Sequence, residues 1–377
     1  MNAVKQLTNE RFATLDVFRG MTIFLMIIVN TQGSGATPYA AMEHSGWNGC
    51  TLTDLVFPSF LFAVGNAMPF AMKKFESKPG KIYLYKILKR TLLIFLVGYF
   101  LGWYASMHWD NGHLAFSAFS QTRIMAVLQR IALCYFIAAI VSYYCSVRWM
   151  VIWSVIFLLS YWLLLYMLGE PGMQYSVTGN AVRKIDLLLL GEQHMYRERG
   201  IVFDPEGLLS TIPATVNVLA GYVAGAYIIK KGKHYKTVVM LAIAGCILIL
   251  LGLVWDPFFS INKKLWTSSY VIFTTGIDLL VTSILFYFIE IQQWKRGINF
   301  FTVLGRNPLF IYVLSNLFLF FLIMHIGNKF FIDWINEVFF QKIAPGPLGA
   351  LLFALAFTMI FWLIAWVMDK KKIYIRL

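Results

Sequence analysis

Apolar runs alternate with short polar connections along the whole chain. Ten stretches stand out, near 17–32, 55–72, 87–104, 124–144, 150–168, 207–229, 238–254, 268–289, 301–325 and 348–368. Each approaches the roughly 20 apolar residues a helix needs to cross hydrocarbon. The pattern predicts an all-α polytopic membrane protein, a bundle of about ten transmembrane helices forming one domain over 1–377. The longest connection, Gly169 to Glu206, leaves no room for a soluble domain. No internal repeat is visible, which argues against a transporter built from inverted repeats.

Composition agrees with the pattern. Hydrophobic residues make up 59% of the 377 and charged residues 13%, too few to coat a soluble globule of this length. Cys50, Cys134, Cys145 and Cys246 are scattered, with no metal-ligand spacing and no disulfide framework. No metal is expected. The stretch from Met1 to Arg19 is polar and does not read as a cleavable signal peptide, so the first helix is expected to act as the targeting signal.

Charge gives the orientation. When the N-terminus and every second connection are assigned to one side, 22 of the 32 lysines and arginines fall there and nine on the other, with Arg130 inside a span. The richer side is expected to be cytoplasmic. Both termini then lie in the cytoplasm and the loop around His44 lies outside. The net charge of +14 follows from this topology. A sharper reading gives some of these cations, around Lys73 to Arg90 and Lys370 to Lys372, an anionic cofactor to hold. Nucleic acid is not implied, because no basic face is separable from the membrane edge.

The most polar place in the first third of the chain is Met42-Glu43-His44-Ser45-Gly46-Trp47-Asn48-Gly49-Cys50-Thr51-Leu52-Thr53-Asp54. A histidine between Glu43 and Asn48 titrates near neutral pH and can act as a base or an acyl acceptor. Thr51-x-x-Asp54 has the form of a capping box, which would make Asp54 a helix cap; Trp47 suits an interfacial anchor or a sugar contact. In the first helix Asn30 follows Arg19 by eleven residues, about 16 Å at 1.5 Å per residue, well inside a core about 30 Å thick. The following Thr31-Gln32-Gly33-Ser34-Gly35 cannot face lipid, so this stretch is expected to line a vestibule shared with His44. Asn30 as interhelical glue is the alternative.

Other polar marks follow. Gln129-Arg130 sits inside the fourth span, where an arginine is a functional-site candidate or the partner of a buried carboxylate. Asp186, Glu192, His194 and Asp204-Pro205-Glu206-Gly207 lie in the long outer connection; Asp204 and Glu206 could cap the sixth span. Asn262-Lys263-Lys264-Leu265-Trp266 faces the same side. Asp16-x-x-Arg19 reads as an ion pair at the membrane edge, and Gly305-Arg306-Asn307-Pro308 as a capped helix start or an anion cradle.

Several of these blocks occur together, in order, in a known family. Asp16-Val17-Phe18-Arg19-Gly20, Val29-Asn30, His44-Ser45-Gly46-Trp47-Asn48-Gly49, Asp54-Leu55-Val56-Phe57-Pro58 and Val127-Leu128-Gln129-Arg130 are joined by Asp186-Leu187-Leu188-Leu189-Leu190-Gly191, His194-x-Tyr196, Asp204-Pro205-Glu206-Gly207 and Asn262-Lys263-x-Leu265-Trp266. From Arg11 to the basic C-terminus the sequence resembles the transmembrane N-acetyltransferases typified by lysosomal heparan-alpha-glucosaminide N-acetyltransferase, and their bacterial relatives. The lysosomal enzyme carries a luminal domain and an extra leading span that this protein is expected to lack.

The resemblance implies transfer of acetyl from cytosolic acetyl-CoA to the amine of a glucosamine-type sugar or glycan across the membrane. The family's active-site histidine falls on His44 and its first-helix asparagine on Asn30. Asn48 and Asp54 join them as catalytic candidates, with Glu43, Trp47, Asp204, Glu206 and Trp266 for the acceptor. Arg19, Arg130, Arg306, Asn307, Lys370 and Lys371 are the candidates for acetyl-CoA. Membrane lipids and a second copy in a homodimer are the other expected partners, in a bacterial inner membrane with the His44 loop in the periplasm. An amino-sugar permease without chemistry is the alternative, since it also needs polar groups at membrane depth.

Overall fold

The computed structural model describes residues 12–32, 38–72, 79–110, 113–198, 200–322, 325–326 and 329–375. Arg11, Gly33-Ser34-Gly35, Lys73, Lys74 and Lys78, which carry expectations above, lie outside these residues. The apolar runs become the helices α1 (Ala13–Asn30), α2 (Leu52–Met72), α3 (Gly80–Tyr104), α4 (Val127–Tyr144) and α5 (Val147–Leu168). After a short outer helix, α6 (Ala181–Leu190), come α7 (Thr211–Lys231), α8 (Tyr235–Trp255) and α9 (Ser268–Phe286). The chain ends with α10 (Ile298–Arg306), α11 (Pro308–Leu322) and α12 (Pro347–Lys370). Strand content among the described residues is confined to short hairpins in the connections. Eight helices, α1, α2, α4, α5, α7, α8, α9 and α12, are long and apolar enough to cross a membrane. This is an all-α polytopic membrane protein.

The other two expected spans differ in detail. The third is α3, 25 residues long with Lys81, Lys86, Lys89 and Arg90 in its first half. The ninth, expected as one helix over 301–325, is two: α10 ends at Arg306 and α11 restarts at Pro308. Proline has no N–H to donate and pushes its predecessor out of the helical region. Asn307 accordingly sits at φ −129, ψ 46.

Burial sorts the helices into centre and rim. In α2 and α7, 61% of the spanning window is buried, against 17% in α5 and 22% in α8, whose apolar faces suit hydrocarbon. The centre is tight because backbones touch. A Cβ on Gly65 of α2 would come within 1.8 Å of the Val218 carbonyl oxygen on α7, and one on Gly221 within 2.0 Å of the Phe62 oxygen. Small residues permit such approach between apolar helices, where the hydrophobic effect supplies little force. Gly20 of α1 and Gly305 of α10 repeat the arrangement against the Phe301 and Asp16 carbonyl oxygens.

The connections gather at two ends. At one, the Gly49 N–H donates to the Ile261 carbonyl at 2.7 Å, the Trp47 indole N–H to the Tyr175 carbonyl at 2.8 Å, and the Ile124 N–H to the His194 carbonyl at 3.1 Å. At the other, Arg19 Nη1 donates to the Gly305 carbonyl at 3.0 Å and Arg306 pairs with Asp369. There Glu290 accepts from both the N–H and the hydroxyl of Thr14 at 3.2 Å and meets Lys233 Nζ at 3.1 Å. The bundle therefore has a His44 end and an arginine end.

Candidate functional site

His44 lies where a connection meets the first turn of α2. Its Nδ1 is 2.7 Å from Asp54 Oδ1. The second oxygen of Asp54 accepts from the Ser45 N–H at 3.1 Å, the Thr51 N–H at 3.0 Å and the Thr51 hydroxyl at 3.1 Å. Asp54 thus caps α2 and orients the histidine with the same carboxylate. The Tyr270 hydroxyl of α9 donates to the Asp54 carbonyl at 2.6 Å and fixes that turn from behind. A carboxylate can only accept, so Nδ1 carries a proton, and in the neutral ring this tautomer leaves the lone pair on Nε2.

Asn30 and His44 line one cavity of about 310 Å³, so the last turn of α1 and the polar loop do meet. Around them stand Thr53 and Phe57 of α2, Val127 of α4, Tyr312 of α11, and Arg123, Tyr196, Glu198, Glu206, Lys263 and Lys264 from the connections. Arg123 clamps Asp204 through Nε at 2.9 Å and Nη2 at 2.6 Å, and reaches Glu206 at 2.6 Å. Burial would raise the Glu206 pKa, but the charge of Arg123, with Lys263 and Arg130, holds it down at about 2. Lys264 pairs with Glu198 at 2.8 Å. The cavity therefore offers fixed charges of both signs beside a base. Burial, helped by Asp54, pushes the neighbouring Cys50 thiol up to about 12, so it is no nucleophile at neutral pH.

Several expected site residues do something else. Asn48 accepts from Asn262 Nδ2 at 3.3 Å, next to the bridge between Gly49 and Asn262. It joins two connections and does not line the cavity. Trp47 packs edge-on against Phe203, and Glu43 is exposed; neither lines the cavity. Asp204 is fully buried behind Arg123, and of these two acids Glu206 is the one that lines the cavity. Trp266 is also fully buried and donates from its indole to Asn217 Oδ1 at 3.1 Å. Its backbone turns at φ +55° and sends the ring into the core. Arg130, expected at acetyl-CoA, stacks its guanidinium 4.8 Å over that ring and donates to the Gly207 carbonyl and the Ser210 hydroxyl. It sits one turn into α4 from the His44 end, away from the arginine end.

A second cavity, of about 480 Å³, opens at the arginine end. Arg19, Arg90 and Arg306 converge on it, with Asp16, Tyr135 and the tail residues Tyr374 and Ile375. Arg306 Nε is buried without a hydrogen-bond partner, a donor left for a ligand anion. Three guanidinium groups, an orphaned donor and a floor of Phe60, Val64, Met68 and Ile94 fit a polyanion with an apolar arm. Asn307 is not an anion cradle here. Its side chain donates to the Ile373 carbonyl and accepts from the Ile375 N–H, both at 2.9 Å. Lys370 lies 3.9 Å over the Trp366 ring, Lys371 is exposed, and neither lines the cavity.

The two cavities are stacked on the same helices. Along α2 the lining passes from Phe57 to Phe60, along α4 from Val127 to Ile131, and along α11 from Tyr312 to Leu309. Along α1 it passes from Met26 to Arg19. Sequence reasoning missed Arg123, Tyr196, Glu198, Lys263, Lys264, Tyr312 and Tyr374 as lining residues. The available signal was slight: an arginine just ahead of the fourth span and paired lysines beside an acid-rich connection.

Comparison with known proteins finds a family model and curated relatives similar to this chain. A family model described as a domain of unknown function, DUF5009, matches residues 11–111. Heparan-alpha-glucosaminide N-acetyltransferase of Mus musculus is 29% identical over 364 residues, covering 81% of this chain and 53% of the relative. The Homo sapiens protein of that name is 27% identical over 365 residues, covering 80% and 52%. The chain spans about half the length of the curated relatives it matches. Over that half it is similar to proteins named heparan-alpha-glucosaminide N-acetyltransferase.

Proposed function

We propose that the protein is a membrane acetyltransferase that takes acetyl from acetyl-CoA at the arginine end and passes it to the amine of a glucosamine-type sugar at the His44 end. The observation that carries this reading is the pair of cavities stacked end to end on α1, α2, α4 and α11. Arg19, Arg90 and Arg306 hold the phosphates, while the apolar lining of α2 and α4 receives the arm that bears the thioester. The relatives' names supply the reaction class. The lysine and arginine bias supports a cytoplasmic arginine end and an outward-facing His44 end, and a bacterial inner membrane with the His44 end in the periplasm belongs to the same reading.

In this mechanism His44 Nε2 removes the proton from the attacking amine while Asp54 holds the ring and stabilises the imidazolium. Asn30 donates to the oxygen that becomes negative as the carbonyl is attacked. Glu206 and Glu198 hold the sugar's ammonium and hydroxyl groups before the proton leaves.

The test is acetyl transfer from radiolabelled acetyl-CoA to glucosamine by purified protein, with and without His44→Ala. Label on the sugar only with the intact histidine is the expected result. Label retained on the wild-type protein before sugar is added would mean His44 carries acetyl itself. Transfer that survives His44→Ala removes His44 from the mechanism. Saturable glucosamine uptake into proteoliposomes with no label on sugar or protein would replace the reading with a permease.

A further inference from the structure

The seam between the two cavities is almost wholly apolar. A donor with its phosphates among Arg19, Arg90 and Arg306 and its acetyl group facing His44 has its thioester sulfur at this level, where one lining gives way to the other. The seam side chains Met26, Phe57, Phe60, Val127, Ile131 and Leu309 carry no polar atom able to donate. Tyr312 is the exception. It lies one turn beyond Leu309 on α11, is 6% exposed, and lines the cavity of Asn30 and His44.

Breaking the thioester places negative charge on sulfur at that level. An unpaired charge in an apolar, partly dry setting costs several kcal/mol, and a positioned proton donor removes the cost. We propose that Tyr312 is a catalytic residue whose phenol protonates the departing CoA thiolate. This rests on the acetyltransferase reading above.

The step balances without a further reactant. The amine nitrogen forms its bond to the carbonyl carbon, and the carbon–sulfur bond breaks with its electron pair on sulfur. The phenol proton moves to sulfur, giving free CoA thiol and a phenolate. The amine proton goes to His44 Nε2 and returns from the imidazolium to the phenolate through the cavity, restoring both groups.

The experiment is acetyl transfer from acetyl-CoA to glucosamine by wild type and by Tyr312→Phe, each in H2O and in D2O. Arg123, Tyr196, Glu198, Glu206, Lys263 and Lys264 also line the cavity and are the same in both proteins, so the comparison isolates the phenol's contribution. Wild-type kcat should show a normal solvent isotope effect, because a proton moves to sulfur as the bond breaks. In Tyr312→Phe kcat should fall about 100-fold, with the isotope effect reduced and the KM for acetyl-CoA within about twofold, a change worth only ~0.4 kcal/mol. An unchanged kcat, or a fall in kcat that leaves the isotope effect intact, overturns the assignment and leaves a cavity-shaping residue. Wild-type protein that binds acetyl-CoA yet transfers nothing at any pH overturns the acetyltransferase reading, and the inference falls with it.

Discussion

His44 Nδ1 and Asp54 Oδ1 lie 2.7 Å apart, and the pair straddles the boundary of the bundle, with 48% of the His44 side chain exposed and 1% of the Asp54 side chain. The exposed member can meet a substrate; the buried one is fixed by three donors. Asp54→Asn keeps the shape but places an amide opposite Nδ1, which favours the wrong tautomer or ring flip. Acetyl transfer should fall about 100-fold or more in kcat, on the scale seen when an orienting carboxylate is neutralised, with acetyl-CoA binding unchanged. Radiolabel transfer and equilibrium binding on the same preparation check this, and wild-type kcat in Asp54→Asn would reduce the carboxylate to a helix cap.

Arg123 neutralises two acids that lie 81 and 83 residues away in sequence. Arg123→Ala strands a fully buried Asp204 and the largely buried Glu206. Removing one partner of a buried ion pair costs about 3–5 kcal/mol, so thermal unfolding in detergent should shift down by several degrees. The Glu206 pKa is depressed in the folded state. Its stabilising contribution is therefore present above the ordinary carboxylate range and lost as pH falls towards about 2. Arg123→Ala should abolish that acid-side loss, and an unchanged acid limb would show that other groups govern it.

These two relationships mark how far the sequence could be read. His44 and Asp54 are ten residues apart in one polar loop, so both stood out in the local composition, while their pairing is set by the fold of the turn. Ten apolar runs gave the helices because burial in hydrocarbon leaves a periodicity and a length in the chain. Arg123 and Asp204 share no run, and only the close approach of two connections joins them. Gly305-Arg306-Asn307-Pro308 was legible as a possible helix start, but hydropathy averaged over 301–325 bridges that short polar step and hid the end of one helix behind the start of the next. Trp266 stood beside Lys263 and Lys264 and suggested a sugar platform. The left-handed turn at φ +55° turns it inward, a backbone choice that no residue type in the stretch announces.

Asp186 on α6 is buried at the His44 end, accepts the Leu208 N–H at 2.9 Å through Oδ1, and keeps Oδ2 against Gly207 without a partner. Burial pushes its pKa from 3.8 to about 7, with the charge of Asp204 adding to the rise. A raised carboxylate contributes stability that is complete below the unfolded value and lost as pH rises through the folded one. Melting temperature should therefore decline between about pH 4 and pH 7 in proportion to this group. Asp186→Asn should remove that decline, melting above wild type at pH 8 and level with it at pH 4. Parallel curves across the window would assign the decline to another group.

At the arginine end the Asn307 side chain ties the tail to the α10–α11 break. Asn307, freed from the helical pattern by Pro308, bonds the backbone of Ile373 and Ile375 with both ends of its amide and sets Tyr374 and Ile375 into the wall of the cavity. Asn307 is 1% exposed, so no solvent replaces those bonds if the amide is removed. Each such bond contributes about 1 kcal/mol, and losing two frees the strap from one wall of the donor cavity. Asn307→Ala should raise the KM for acetyl-CoA about 10-fold, since 1.4 kcal/mol corresponds to a factor of ten, and leave the KM for the sugar within about twofold. Truncation after Lys372 removes the same wall and should give the same selective loss, separating the strap from any effect of Asn307 on the α10–α11 break. Equal loss in both KM values would mean that the break, not the strap, is what Asn307 maintains.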